Sequence, residues 1–203
     1  MLNILTLCCA LDNSYFAIKY KGEIFSKILK SDVNYHSLYL INEIKNTLKE
    51  KNINLKEIDL IGVNCGPGSF TGIRVAMSIA KVMAGELNLP LVGLNTSQIL
   101  LRIYDKKYLI MDARRDMFFV GDKDKIELKL KDEVVEKYNS SEIVCDKNSK
   151  EFFKDAICFE EETKDIGSVM VELTEEIYNK EQDKTKFDYK MVEPNYIQTP
   201  PVF

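Results

Sequence analysis

The stretch Gly62-Val-Asn-Cys-Gly66-Pro67-Gly68-Ser69-Phe70-Thr71-Gly72-Ile73-Arg74, continued by the apolar run to Leu87, decides the fold. It reads as a buried strand, a tight glycine loop and a helix. Ser69 or Thr71 offers the helix cap, and Asn88-Leu-Pro90 ends the helix. Gly66-x-Gly68-x-x-x-Gly72 lacks the Gly-Lys-Ser/Thr ending of a phosphate-binding P-loop, and it is not the GxGxxG of a dinucleotide fold. Its reading is a turn that aims the helix, since glycine serves backbone geometry first. The helix is apolar over roughly 220°, against a usual stripe of a little over 100°. Arg74, Ser78, Lys81 and Gly85 form a narrow polar wedge. Val75, Ile79, Val82 and Met83 make one apolar face, and Ile73, Met77, Ala80, Ala84 and Leu87 make another. One face suffices for the chain's own sheet. The second, with small residues spaced by four, is expected to meet a partner.

Upstream, Asn3–Ala10, Ser14–Tyr20 and Glu23–Leu29 read as three antiparallel strands, with a turn at Lys21-Gly22. Val33 to about Lys51 fits a helix whose core stripe is Val33, Leu40, Ile41, Ile44 and Leu48. Tyr35, Leu38 and Tyr39 form a separate patch, assigned here to the partner surface. Downstream, strand patterning restarts after Tyr104, with strands at Tyr108–Asp112 and Met117–Val120 around a charged turn, Ala113–Asp116. Asp112, Arg114 and Arg115 are contact candidates there, because arginine forks suit phosphate and carboxylate alike. Asp165–Asn179 has helical spacing. This order predicts an α/β chain of two lobes, residues 1–103 and a smaller, degenerate 104–203 whose tail crosses back.

The bulk properties exclude more than they identify. The 203 residues carry a net charge of −4, with 45% hydrophobic and 30% charged residues, so no basic footprint for nucleic acid is present, and if RNA is involved something else is expected to hold it. One histidine, His36, excludes any site that needs two. The five cysteines are odd in number and contain no CxxC, which points to free buried thiols and a reducing compartment. No targeting segment or membrane span is visible, so the cytoplasm is expected. No catalytic residue, cofactor or metal ligand is assigned.

Gly66-Pro-Gly-Ser-Phe-Thr-Gly-Ile-Arg74 resembles the signature of the TsaB (YeaZ) family of tRNA threonylcarbamoyladenosine biosynthesis proteins. His36-Ser37, Met111-Asp-Ala-Arg-Arg115 and Glu193-Pro-x-Tyr-Ile197 agree with the family in order, while residues 121–190 agree only in pattern. The resemblance implies an actin/Hsp70/sugar-kinase (ASKHA) fold with two related lobes, mixed sheets and flanking helices. It implies a non-catalytic scaffold that binds the transferase paralogue TsaD, and the ATPase TsaE, or pairs with itself when TsaD is absent. The implied partner interface is Tyr35, Leu38, Tyr39, Phe70, Ile73, Arg74, Met77, Ala80, Lys81 and Ala84. Where the family's first strand ends in Asp-Thr-Ser, this chain has Cys8-Cys9-Ala10, which weakens any nucleotide chemistry but not a scaffold role. The competing readings are a nucleotide-dependent kinase or peptidase of the same fold and a homodimeric binding module for some other protein.

Overall fold

A computed structural model describes residues 1–30, 36–162 and 164–197, with side chains in the first helix from residue 39 onward. The predicted Val33 and Tyr35, and the side chains of His36 and Leu38, lie outside the described part. The chain divides into two compact units. The first comprises Met1–Thr96 and Asp165–Asn195, the second Ser97–Lys164 and the residues from Tyr196. The expected boundary at 103/104 is therefore corrected at both ends.

The first unit opens with β1 (Ile4–Cys8), β2 (Ser14–Tyr20) and β3 (Glu23–Leu29), an antiparallel meander. Lys21 and Gly22 both sit at positive φ, 50° and 92°, which suits the tight turn that matches strand twist. β4 (Leu60–Asn64) then pairs parallel with β1, and β5 (Leu91–Leu94) parallel with β4, giving the order β3-β2-β1-β4-β5. β1 and β4 are buried at every residue. Central strands read this way when helices cover both faces. The helices α1 (His36–Glu50) and α2 (Phe70–Leu87) pack together, α1 over β2 and α2 over β1, β4 and β5.

The helix α5 (Ile166–Lys180) belongs to this same sheet and packs across all five of its strands. Its buried stripe is Ile166, Met170, Val171, Leu173 and Thr174, and Lys19 on β2 pairs with Glu175 at 2.6 Å. Sequence spacing identified the helix but not the sheet it would cover, because an apolar stripe fits any apolar face of similar shape.

In the second unit β6 (Tyr108–Asp112), β7 (Met117–Gly121) and β8 (Ile126–Leu130) form another antiparallel meander, while β9 (Ile143–Cys145) and β10 (Ile157–Cys158) run parallel to it. The order β10-β9-β6-β7-β8 repeats the topology of the first sheet, three meander strands followed by two parallel ones. α3 (Thr96–Tyr104) precedes this sheet, and α4 (Lys131–Lys137) stands where the first unit has α1. α4 is seven residues long, and only Val134 is buried on it, too little to show as a periodic pattern. The ASKHA-type architecture of two related α/β lobes is thus present, the second lobe reduced. No helix of the described residues is long and apolar enough to cross a membrane.

Candidate partner-binding site

The glycine loop is closed on itself. Asn64 Oδ1 accepts the Gly66 N–H at 2.8 Å, and the Asn64 amide donates to Cys8 Sγ at 3.3 Å. The buried Thr96 hydroxyl donates to the Pro67 carbonyl at 2.6 Å, and the Thr96 N–H donates to the Gly66 carbonyl at 2.9 Å. Ser69 N–H donates to the Ala10 carbonyl at 2.8 Å, and Ser69 Oγ caps α2 by accepting from Gly72 N–H at 3.2 Å. Three donors near an anion's place are thus used within the chain: Ser69 N–H by the Ala10 carbonyl of the β1–β2 connection, Gly66 N–H by Asn64 and Gly72 N–H by Ser69. The return segment braces the same loop: Asn195 N–H donates to the Cys65 carbonyl at 2.8 Å, and its side chain reaches Asn95 at 3.3 Å. The loop sets the direction of α2, as its sequence implied.

Cys8, Cys9 and Cys65 surround this loop, and all five cysteines are free and buried. Burial pushes Cys9, Cys65 and Cys145 up to about 12 and raises Cys8 and Cys158. At pH 8 a thiol with that pKa is about one part in ten thousand thiolate, the reactive form. Ellman's reagent should therefore release no thionitrobenzoate from the native protein over minutes, and five equivalents after denaturation in guanidinium. A rapidly reacting native thiol would contradict the burial of these cysteines, and one mapped to Cys8, Cys9 or Cys65 would contradict the packing around the loop.

On α2 the two apolar faces are assigned the other way round from expectation. Ala76, Met77, Ala80 and Ala84 are buried at 4% exposure or less in the core over the sheet, and Ile73, at 2%, is buried beside Gly66 of the loop. They cannot face a partner, and that part of the expected interface is corrected. The small residues let the helix backbone sit close to β1 and β4. The outer side carries Thr71, Arg74, Ser78, Gly85 and Glu86, with Val82 at 64% exposure. Val75, Ile79 and Met83 are half-buried on the flank of that side. Ile41 of α1, expected in the core stripe, is 45% exposed, and Tyr39 is 44% exposed. Phe70 and Lys81 are half-buried, and the Arg74 guanidinium stacks over the Phe70 ring at 4.1 Å. Of the expected interface, Tyr39, Phe70, Arg74 and Lys81 remain accessible, joined by Ile41, Val75, Ile79 and Val82. Counting Thr71 and Glu86 with the polar wedge moves its centre away from Lys81 and puts Ala76 and Ala80 opposite it. That placement is the one signal in the sequence that points to Ala76 and Ala80 as the sheet-facing side, and it falls short of deciding between a sheet and a helix partner.

The turn after β6 is the second candidate. Arg114, Arg115 and Asp116 sit at φ of 62°, 50° and 56°, three consecutive non-glycine residues in the left-handed region. The turn is held by Ala113 N–H to the Met117 carbonyl, Met117 N–H to the Arg114 carbonyl and Lys131 N–H to the Asp116 carbonyl, each at 3.0 Å. Asp112 is not part of its exposed tip. Its carboxylate pairs with Lys131 at 3.0 Å, and its N–H donates to Asp146 at 2.9 Å. Asp146 is buried, and burial holds its pKa above the usual carboxylate range. Asp112 thus anchors the turn, and only Arg114, Arg115 and Asp116 are presented outward. Among the described residues no group of three or more His, Cys, Asp or Glu side chains is placed to hold a metal.

The family model of TsaD, tRNA N6-adenosine threonylcarbamoyltransferase, matches residues 23–144, more than half of the chain. The tRNA threonylcarbamoyladenosine biosynthesis protein TsaB of Buchnera aphidicola subsp. Schizaphis graminum is 30% identical over 112 residues, 53% of this chain and 53% of that protein. The TsaB of Buchnera aphidicola subsp. Baizongia pistaciae is 42% identical over 74 residues, 36% of this chain and 34% of that protein. The chain thus spans about half the length, or less, of the curated relatives it matches. A solved Pseudomonas aeruginosa structure, described as an uncharacterized protein with similarity to peptidase YEAZ, superposes with a TM-score of 0.77 at 16% identity, covering 98% of this chain and 100% of that one. At that identity the likeness concerns the fold. With a matched model over most of its length, and two lobes that repeat one topology, this chain belongs to the TsaD family of tRNA N6-adenosine threonylcarbamoyltransferases, on its TsaB/YeaZ side.

Proposed function

We propose that this chain is a non-catalytic scaffold in the formation of N6-threonylcarbamoyladenosine in tRNA, and that it binds a TsaD-type transferase through the outer side of α1 and α2. A TsaE-type ATPase joins the assembly, and the same helices self-pair when the transferase is absent. The observation that carries this reading is exposed Val82 with half-buried Val75 and Ile79 on one face of α2, beside a helix α1 that leaves Tyr39 and Ile41 exposed on the two flanks of its buried stripe. Apolar and aromatic side chains clustered on one face mark an interaction surface. The closed glycine loop supports the non-catalytic part, because its traced donors are committed internally. The net charge of −4 supports an indirect relation to tRNA.

Val82→Asp tests it. At 64% exposure the substitution costs the fold under about 0.5 kcal/mol, so circular dichroism and the melting curve should match the parent. A buried carboxylate at the centre of a helix–helix contact is expected to weaken binding to the transferase at least about a hundredfold, or some 2.7 kcal/mol. Calorimetric titration against the TsaD paralogue of the same cell measures it. An unchanged dissociation constant would remove α2 from the interface. A titration of the isolated chain with ATP and magnesium that showed tight stoichiometric binding would favour an enzyme instead.

A further inference from the structure

We infer that the β7–β8 edge of the second unit, with the Arg114–Arg115 turn at its end, is a separate docking surface for an extended acidic segment of a partner protein. Four observations meet there. β8 is the last strand of its sheet, so its outer backbone groups have no strand partner among the described residues. The cross-strand pairs Met117↔Leu130 and Phe119↔Leu128 put four apolar side chains on one face of the β7–β8 ladder, with Leu130 half exposed. Arg114 and Arg115 are both exposed and make no ion pair with any described residue. In the same hairpin Lys125 and Lys129 share Glu127 at 2.8 and 3.1 Å, Lys131 pairs with Asp112 at 3.0 Å, and residues 122–130 hold three lysines beside three acids, Asp122, Asp124 and Glu127.

The backbone of the turn gives a reason to look for function. An Asn-Gly or Asp-Gly turn would take positive φ cheaply, whereas two arginines do so at a cost. Strain of this kind, held by three hydrogen bonds, is retained where a side chain must be presented. Guanidinium forks bind carboxylates and phosphates alike, so the surroundings choose between them. The turn reads positive, positive, negative from Arg114 to Asp116, and the chain is acidic overall. A phosphate backbone of uniform charge does not complement that pattern, and the hairpin over 122–130 carries as many acids as lysines. An extended protein segment does: it adds a strand to β8, lays alternate apolar residues on the Phe119–Leu128 strip and ends with carboxylates at Arg114 and Arg115.

The test places the photocrosslinking residue p-benzoylphenylalanine at position 130 of the full chain in its own cell, with exposed position 147 as control, and sequences the crosslinked peptide. The expected product is a protein segment with two or more Asp or Glu within about four residues of the crosslink. R114E/R115E should lower the yield at least tenfold, and exchanging the partner's acids for lysine should restore it. Arg115→Gly separates presentation from mere turn formation: it should raise the melting temperature, because glycine accepts the left-handed region, and also reduce the crosslink. Crosslinks to RNA or lipid, a yield no higher than at the control position, or a yield unchanged in R114E/R115E would overturn the inference. The Val82→Asp variant provides the independent arm, since loss of the transferase contact there leaves the question at position 130 open to its own answer.

Discussion

Ala80→Arg should yield no folded protein. Ala80 is 0% exposed, on the face of α2 that lies over β1 and β4, with Ala76 and Ala84 one turn to either side at 0%. A guanidinium there has no route to water along the helix, because its flanking positions, Ile73, Met77 and Ala84, are buried too. Two costs add. Side-chain volume must be forced into a close-packed core, at about 1–3 kcal/mol or more for even a few methylenes. An unpaired charge must also lose its hydration, at several kcal/mol after relaxation. Together these exceed about 5 kcal/mol and consume most or all of the 5–15 kcal/mol by which a domain is normally stable. The expected result is insoluble expression, or a soluble chain without a cooperative urea transition. A protein that melts like the parent would show that this face is not the core face. The same substitution at Val82, two residues further on and 64% exposed, should leave the transition within about 0.5 kcal/mol. The contrast reads the orientation of α2 directly.

That orientation is where sequence and structure part. The existence of α2, its cap at Ser69 and its stop near Asn88 were legible, because capping oxygens and proline act locally. Asn88 ends the helix in the left-handed region at φ 53°. Its excess of apolar surface was legible too, as an arc. Which half of the arc faces inward depends on a neighbour distant in the chain, and alanines at 76, 80 and 84 look equally suited to a helix partner and to a sheet. Ile41 fails for the same reason: its place on the wheel borders the stripe of Leu40 and Ile44, and tertiary packing decides which border is covered. The return of α5 to the first sheet was hidden because a stripe does not carry the address of its sheet. The Arg114–Asp116 turn was visible as charge, but its run of positive φ values was not, since Asp116 tolerates that conformation while two consecutive arginines do not ask for it. Asp112 belonged to the candidate list by adjacency alone, and its pairing with Lys131 makes it a brace.

The second large effect concerns the loop itself. Gly72→Ala would normally help a helix by about 1 kcal/mol, since alanine is the better helix former and Gly72 lies inside α2. Here the sign should reverse. A Cβ on Gly72 would overlap the Cys9 carbonyl oxygen outright and stand 2.7 Å from the carbonyl carbon. The obstacle is backbone, so no side chain can swing aside. Relief requires the first turn of α2 to lift off the β1–β2 connection, and that movement breaks the Ser69 N–H to Ala10 bond of 2.8 Å and uncovers Ile73 and Ala76. Losing one buried hydrogen bond at about 1 kcal/mol, together with part of two core contacts, sets the loss at about 3–5 kcal/mol. Gly85, exposed on the same helix, supplies the comparison. Its added Cβ would stand 3.2 Å from the half-exposed Tyr189 ring, a side chain that can yield, so Gly85→Ala should change stability by no more than about 1 kcal/mol. Urea unfolding of the two variants measures the difference. If Gly72→Ala proved as stable as its parent, the loop would not be pressed against Cys9 and Ala10, and its donors would be free for the anion that the closed geometry excludes. A loss of several kcal/mol confined to position 72 leaves the loop as the hinge-pin of α2, and any weakening of the partner contact in that variant would follow from the helix having moved.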